Sequence, residues 1–272
     1  MSGSEPTGQS NPARPVTTQL VRTALDSVLD PELDRSIVEL EYIDEISIDR
    51  GSNAATAAAE VTVSVAFTLP TAWCSPAFAW MMASDAKAAV KSLSGVDTAE
   101  ITLREHMHET EINTGVNEDR PFEEAFPDAD GGLKAVRATL DHKARLARQF
   151  DAVDTLLKAG LSATQIVSLT PADLAHAADS ERIHIMLDGG SFGVAVDAAP
   201  IDEYAEMATT EGCLTGDDDP LFRTPEGDPI EESMFELLHR RTRSAKVNVN
   251  GQGTVCEALN ESRREMLGRA DD

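Results

Sequence analysis

The feature that most constrains this chain is a series of switches in the spacing of its apolar residues between positions 16 and 104. Two segments have apolar residues at helical spacing, and three have the apolar alternation typical of strands. They follow one another as helix, strand, strand, helix and strand: 16–29, 36–48, 60–69, 76–93 and 96–103. The first helix ends at Asp30-Pro31, because proline disfavours helical geometry in the residue before it. The order αββαβ predicts a compact α/β module over 16–104.

The rest of the chain divides by composition and periodicity. Residues 1–15 contain Ser, Gly, Pro and Gln without periodicity, which predicts a disordered tail. Residues 105–180 are expected to form a connector and a helical region, in which a long helix over 133–159 ends at Gly160. Residues 181–272 predict a small mixed α/β region, with strands expected over 183–187 and 246–249 and helices over 231–243 and 255–267. The expected fold class is therefore α+β, with a small sheet-and-helix module followed by a mainly helical extension.

The charge of the chain excludes one class of partner. The 272 residues contain 48 Asp and Glu against 23 Lys and Arg, so the net charge is −25. Free nucleic acid is not expected to bind, because its phosphate backbone is also anionic. Only 6 of the cations are lysines, and excess carboxylate with few lysines is typical of proteins kept soluble in concentrated salt. We expect a halophilic protein, with an ordinary acidic cytosolic protein as the alternative.

The sequence also bears on the cellular compartment of the protein and on the oxidation state of its cysteines. No segment approaches the roughly 18 apolar residues of a membrane span, and the N-terminus has no basic-then-apolar signal pattern. We therefore expect a cytoplasmic protein with no membrane partner. Three cysteines, Cys74, Cys213 and Cys256, are too few for a disulfide framework, so reduced thiols are expected. Cys213 lies in no motif and receives no role.

Cys74 is the strongest candidate for chemistry. It follows the second strand and comes two residues before Pro76, which suits a first helical turn, so it lies at or just before a helix N-terminus. The positive end of the helix dipole favours a thiolate there, and a thiolate binds soft metals or attacks electrophiles. An inert buried cysteine is the alternative. We expect the carboxylates of Asp30 and Glu32 at the same rim of the module, with exposed acids at a helix stop as the alternative.

Two weaker candidates lie further along the chain. His106 and His108 alternate at the end of the third strand, so with a carboxylate such as Glu111 they form a candidate site for iron or zinc. A solvated pair is the alternative. Cys256 follows a Gly-Gln-Gly sequence at 251–253, and glycine-rich backbone at a helix start favours an anion or a second thiolate. A flexible turn before the helix is the alternative.

Several motifs of the module occur together in one order. They are Asp30-Pro31-Glu32-Leu33, Ser36-Ile37-Val38-Glu39-Leu40, Thr68, Cys74 with Pro76, and Leu93-Ser94-Gly95-Val96. In order and separation they resemble the metal-sulfur cluster assembly factor family, the SufT/PaaD-like proteins. The resemblance implies a small α/β fold, no established enzymatic turnover and a role in delivering or maturing iron-sulfur clusters on client proteins. The functional residues that it implies are Asp30, Glu32, Thr68 and Cys74.

The chain also departs from that family. Members commonly have a glycine after the residue matching Leu40, and this sequence has Glu41. The stretch 73–82, together with Glu111-Ile112-Asn113, is similar to extended relatives associated with bacterial-type di-iron monooxygenases. The C-terminal extension therefore resembles that of di-iron monooxygenase-associated proteins.

Three functions stay open from the sequence: an iron-sulfur cluster assembly or metalloprotein maturation factor, a non-catalytic chaperone or docking module for a di-iron monooxygenase, and a redox thiol enzyme. We expect the first, and no enzyme activity. One thiolate cannot hold a cluster that normally takes four cysteine ligands. A second subunit in a homodimer, Cys256, the histidines or a client thiol would complete the set. We therefore expect transient binding of an iron-sulfur cluster or iron, with a client metalloenzyme or the iron-sulfur assembly machinery as partner.

Overall fold

A computed structural model describes residues 15–52, 59–127, 129, 132–176, 181–187 and 189–270. The tail expected over residues 1–15 lies outside these residues apart from Pro15. Contacts divide the chain into two compact units. The first comprises Met1–Asp30, Arg35–Asp130 and Cys256–Asp272, and the second comprises Pro31–Asp34 and Gly131–Val255. Within the described part of the chain, none of the helices is both long enough and apolar enough to cross a membrane.

The first unit contains the predicted mixed sheet. Its elements are α1 (Thr18–Leu25), β1 (Leu29–Asp30), β2 (Arg35–Ser36), β3 (Ile43–Ser52), β4 (Ala59–Thr68), α2 (Pro76–Lys91), β5 (Thr98–Arg104), α3 (Glu109–Asn117) and α4 (Phe122–Ala125). Strands β1 and β2 form a short antiparallel ladder. Strands β3 and β4 are antiparallel, whereas β4 and β5 are parallel and joined through α2, as parallel strands require. The α+β fold class and the αββαβ order are confirmed.

The start of the first long strand differs from the expectation. Strand β3 begins at Ile43, and residues 37–41 form turns instead of continuing a strand from Ser36. The Ser36 hydroxyl accepts hydrogen bonds from the backbone N–H groups of Val38 and Glu39, and such side-chain bonds compete with strand pairing. Glu41 has a φ of 57°, a left-handed conformation that favours glycine. Glu41 therefore holds a backbone conformation that glycine adopts at lower cost.

Helix α3 closes the open edge of β5 through two asparagines. The Asn113 side chain accepts from the N–H of Leu103 at 2.8 Å and donates to its carbonyl at 2.9 Å. Asn117 makes the same pair of bonds with Ile101, at 2.9 and 2.7 Å. One helical turn separates the asparagines, and two strand residues separate their partners. The side chains thus satisfy backbone groups that an edge strand would leave open to another chain.

The packing of α3 on α2 depends on Gly115. The indole of Trp80 is 3% exposed and lies over this glycine so closely that a Cβ there would overlap the ring. Phe122 and Phe126 contact Trp80 edge-on, with ring centroids 5.5 and 6.2 Å away. Because these rings hold the indole, it cannot move aside for a larger residue.

The second unit combines helices with an antiparallel sheet. Its elements are α5 (Gly132–Lys158), α6 (Ala163–Ser168), a 3-10 turn (Pro171–Asp173), β6 (Leu174–His176), β7 (Arg182–Leu187), β8 (Phe192–Asp197), α7 (Ala199–Thr210), a second 3-10 turn (Glu232–Met234) and α8 (Phe235–Ala270). The strand order is β6-β7-β8. Helix α5 ends at Lys158, and Gly160, whose φ is 94°, follows it in the left-handed conformation that the sequence predicts after the helix. Strands β6 and β8 were not predicted.

Helix α8 differs from the elements that the sequence predicts for the C-terminal part of the chain. The sequence predicts a helix over 231–243, a strand over 246–249 and a new helix from 255, whereas α8 is continuous. A glycine inside a helix costs about 1 kcal/mol relative to alanine, which does not end a helix held by tertiary contacts. One such contact in the second unit is the ion pair of Lys246 with Asp151, at 2.6 Å.

Replacing Gly115 with alanine tests the packing of α3. Gly115→Ala is expected to lower the free energy of unfolding by about 1–3 kcal/mol, because the added methyl group overlaps a ring that cannot relax. Urea unfolding followed by circular dichroism measures this change. In Gly51→Ala, the matched control, the nearest atom to the new Cβ is Glu60 O at 4.0 Å, so no loss of stability is expected. Equal effects of the two substitutions would contradict the packing role of Gly115.

Candidate functional site

Cys74 occupies the position that its spacing predicts. It lies in the loop between β4 and α2, next to the helix N-cap residue Ser75 and two residues before Pro76. Its thiol is half-buried, and its N–H donates to the carbonyl of Thr71 at 3.3 Å. The side chain of Ser75 makes no capping hydrogen bond. The positive end of the 16-residue α2 therefore faces the loop that carries the thiol.

His106 fixes this loop from the end of β5. The imidazole is 5% exposed, and its Nε2 donates to the Cys74 carbonyl at 3.0 Å. Its Nδ1 accepts from the backbone N–H of His108 at 3.1 Å, so both ring nitrogens have hydrogen-bond partners and the ring is neutral. Burial lowers the pKa of His106, which favours the same neutral form. A second link joins the N–H of Met107 to the carbonyl of Ala72 at 3.1 Å.

The two histidines do not lie on one side of a strand, as the sequence suggested. Strand β5 ends at Arg104, and the backbone then turns, with Glu105 at a φ of 55°. The ring of His108 packs edge-on against Phe126, at a centroid distance of 5.4 Å, and Glu111 is exposed in the first turn of α3. Across the described residues, no three His, Cys, Asp or Glu side chains are grouped so that they hold a metal ion.

Asp30 takes part in a buried hydrogen bond with Tyr42, which the sequence did not single out. The Tyr42 hydroxyl donates to Oδ2 of Asp30 at 3.2 Å, and the two residues are 1% and 7% exposed. Burial is the main cause that raises the pKa of Tyr42, and the charges of Asp30, Cys256 and Cys74 raise it further. A tyrosine inside the strand predicted over 36–48 was the available signal, because a buried hydroxyl needs a partner.

Thr68 anchors the start of the Cys74 loop. It is 4% exposed and donates through its hydroxyl to Oδ2 of Asp44 at 2.6 Å. Its backbone N–H donates to the carbonyl of Tyr42 at 3.0 Å. Asp44 was not predicted, because its partner is far away in the sequence. These bonds hold the end of β4 from which the loop departs.

Glu32 lies in the turn between β1 and β2. This turn, Pro31–Asp34, is grouped with the second unit, whereas Asp30 and Cys74 belong to the first. Within the second unit, Arg148 binds both carboxylate oxygens of Asp34 at 2.7 Å. Asp30 and Glu32, although only two residues apart in the sequence, thus belong to different units.

Cys256 does not lie at a helix start, as the Gly-Gln-Gly sequence at 251–253 suggested. It lies well inside α8, so the dipole of a helix N-terminus does not act on its thiol. All three cysteines are reduced and half-buried, in agreement with the expected thiols. Cys256 lines a pocket of about 310 Å³ together with Tyr42. Cys213 packs against the apolar core of the second unit.

The segment that carries the Cys74 loop is similar to known proteins. Residues 18–103 match the family model described as iron-sulfur cluster assembly protein. The chain is also 37% identical over 103 residues to an uncharacterised protein of Methanocaldococcus jannaschii, a match that covers 97% of that protein and 38% of this chain. The chain belongs to the iron-sulfur cluster assembly protein family. No solved structure gives a significant match.

The hydrogen bonds of His106 predict a pH-dependent contribution to stability. Because its pKa is lowered in the folded state, that contribution is complete above about pH 6.5 and is lost as the pH falls through the folded pKa. His106→Gln keeps a donor for the Cys74 carbonyl but loses the acceptor for the His108 N–H. We expect the variant to be less stable than the wild type at pH 8, with a smaller difference at pH 5. Urea unfolding at both values measures this, and a difference independent of pH would contradict it.

Proposed function

We propose that this protein transiently binds an iron-sulfur cluster, or iron for one, through Cys74 and hands it to a client metalloenzyme or to the iron-sulfur assembly machinery. The observation that carries the proposal is the position of Cys74 in the family segment, at the start of α2 on a backbone held by His106. A thiolate is the form of cysteine that binds iron, and this position favours it. The motifs that include Asp30 and Thr68 support a SufT/PaaD-like subtype.

In the proposed mechanism, hydrogen bonds fix the conformation of the Cys74 loop before the iron-sulfur cluster or iron binds. The bond from His106 fixes the Cys74 carbonyl, and the two bonds of Thr68 fix the strand from which the loop leaves. The thiol therefore needs little reordering when it binds iron. A cluster that is bound through only one of its four ligands is bound weakly. Ligands from a client, or from a second copy of the chain, can therefore replace the Cys74 thiolate.

Handover by this route is ligand exchange and needs no catalytic turnover. Cys74 loses its proton to solvent, and its sulfur binds iron. A client thiolate then takes its place, and Cys74 regains a proton. No group changes its oxidation state, which distinguishes this carrier from a redox thiol enzyme.

An exposed apolar rim beside Cys74 supports contact with a client. The Trp73 side chain is 75% exposed, and that of Met107 is 54% exposed. The hydrogen bond between Met107 and Ala72 places the two segments next to each other. Exposed aromatic and methionine side chains are enriched where proteins bind one another. We propose that a client approaches across this rim, which leads it to the thiol.

Removing the thiol tests the function directly. The wild type, Cys74→Ser and the control Cys213→Ser are each supplied anaerobically with ferric iron and sulfide, separated from excess reagent and mixed with an apo-ferredoxin. The wild type and Cys213→Ser are expected to load the ferredoxin, as seen in its visible absorbance, whereas Cys74→Ser loses at least tenfold in rate. Equal transfer by Cys74→Ser, or no transfer by the wild type, would contradict the proposal.

Removing the apolar rim should separate binding of the cargo from its delivery. Trp73→Ala is expected to keep the iron and sulfide content of the wild type but to slow transfer several-fold, because the side chain contacts the client and not the cargo. Val247→Ala is the matched control, since it removes a side chain that is 58% exposed in α8. If Trp73→Ala and Val247→Ala transfer equally fast, the rim has no role in delivery.

A further inference from the structure

The surface around Cys74 has two sides of different charge. Residues 61–84, which cover most of β4, the Cys74 loop and the first half of α2, contain no Asp, Glu, Lys or Arg, although 26% of the chain is charged. The segment that follows β5 instead carries Glu105, Glu109 and Glu111, and all three are exposed. The thiol therefore lies between an uncharged side, formed by the loop, and an acidic side, formed by these three residues.

Hydrogen bonds hold the two sides next to each other. His106 and Met107 each make a hydrogen bond to the Cys74 loop. Glu105 comes directly before this pair, and the N–H of Glu109 donates to the His106 carbonyl at 3.1 Å. The two carboxylates thus flank the exposed Met107, which belongs to the apolar rim.

The fold itself gives no reason for one of these acidic residues. Arg104 is the cation nearest to them in sequence, and its guanidinium pairs with Glu45 at 2.9 Å. The dipole of α3 accounts for Glu109 and Glu111, because carboxylates in a first turn stabilise a helix. It does not account for Glu105, which precedes the helix and has a φ of 55°, a conformation that glycine adopts at lower cost. A charged side chain kept in such a conformation favours a role for its carboxylate outside the fold.

We infer that the client presents an empty cluster site with an apolar recess on one side and lysine or arginine on the other. This inference rests on the proposed function. The recess receives Trp73, whose side chain is 75% exposed, and the cations pair with Glu105 and Glu109. Two unlike sides admit the client in one orientation, which brings its thiols to Cys74, and opposite charges speed the encounter. A protein with carboxylates beside its cluster site is repelled, so the same surface selects among clients.

Cluster transfer to two synthetic peptides tests the inference. Each peptide has four cysteines that bind one cluster, flanked by lysines in one peptide and by glutamates in the other. The wild type, Glu105→Gln/Glu109→Gln and the control Asp49→Asn/Glu60→Gln are loaded anaerobically with ferric iron and sulfide and mixed with each peptide at low ionic strength. Iron that passes a filter retaining the protein gives the transfer rate. Asp49 and Glu60 are exposed toward the opposite end of the β3–β4 ladder, so the control changes the net charge equally but leaves the acidic side intact.

The ratio of the two transfer rates is the readout. We expect the wild type and the control to load the lysine peptide at least fivefold faster than the glutamate peptide. In Glu105→Gln/Glu109→Gln this ratio is expected to fall at least threefold. Equal ratios in the two double variants, or equal rates of the wild type with both peptides, would overturn the inference and leave the proposed function intact. A wild type that transfers to neither peptide would overturn both.

Reversing the charges gives a result that a folding defect cannot imitate. Glu105→Lys/Glu109→Lys is expected to load the glutamate peptide at least threefold faster than the wild type does, because two lysines now face the acidic flanks. Asp49→Lys/Glu60→Lys is the matched control, since it changes the net charge by the same amount at a distance from Cys74. An equal gain in the two reversed variants, or no gain in either, would overturn the inference.

Discussion

The parallel pairing of β4 with β5 is the constraint on which the candidate site depends. Because the two strands run in the same direction, their carboxyl ends lie side by side, and Thr68 and Arg104 are the last register partners there. The loop to Cys74 leaves one strand there, and the segment with His106 leaves the other. The hydrogen bond from His106 to the Cys74 carbonyl therefore follows from the topology. Helix α2, which provides the crossover, begins two residues after the cysteine.

Several polar contacts connect further segments of the first unit with this end of the sheet. Burying Asp30 without a partner would cost several kcal/mol, and the Tyr42 hydroxyl supplies that partner. Asp44 accepts from Thr68 and also pairs with Arg263 of α8. These contacts join the turn before β3, the end of β4 and the last part of the chain within the first unit.

The sequence allowed the strands and the helix of the module to be predicted because local periodicity reports which face of each element is buried. It also located Cys74, because Pro76 marks the helix start. The histidines were misread, since the turn at Glu105 is set by contacts between the strand end and the cysteine loop. Helix α8 was misread for a related reason: the glycines at 251 and 253 weaken a helix locally, but tertiary contacts decide whether it continues. Tyr42 and Asp44 were missed because their partners lie 12 and 24 residues away.

The central claim is that Cys74 binds iron through its sulfur. The most direct test is nuclear magnetic resonance of the full chain with 13C at the cysteine β-carbons, recorded before and after anaerobic loading with ferric iron and sulfide. A bound paramagnetic cluster shifts the β-carbon of a ligating cysteine far outside its usual range. We predict such a shift for Cys74 and none for Cys213. A loaded protein in which the Cys74 signal stays in place would contradict the account.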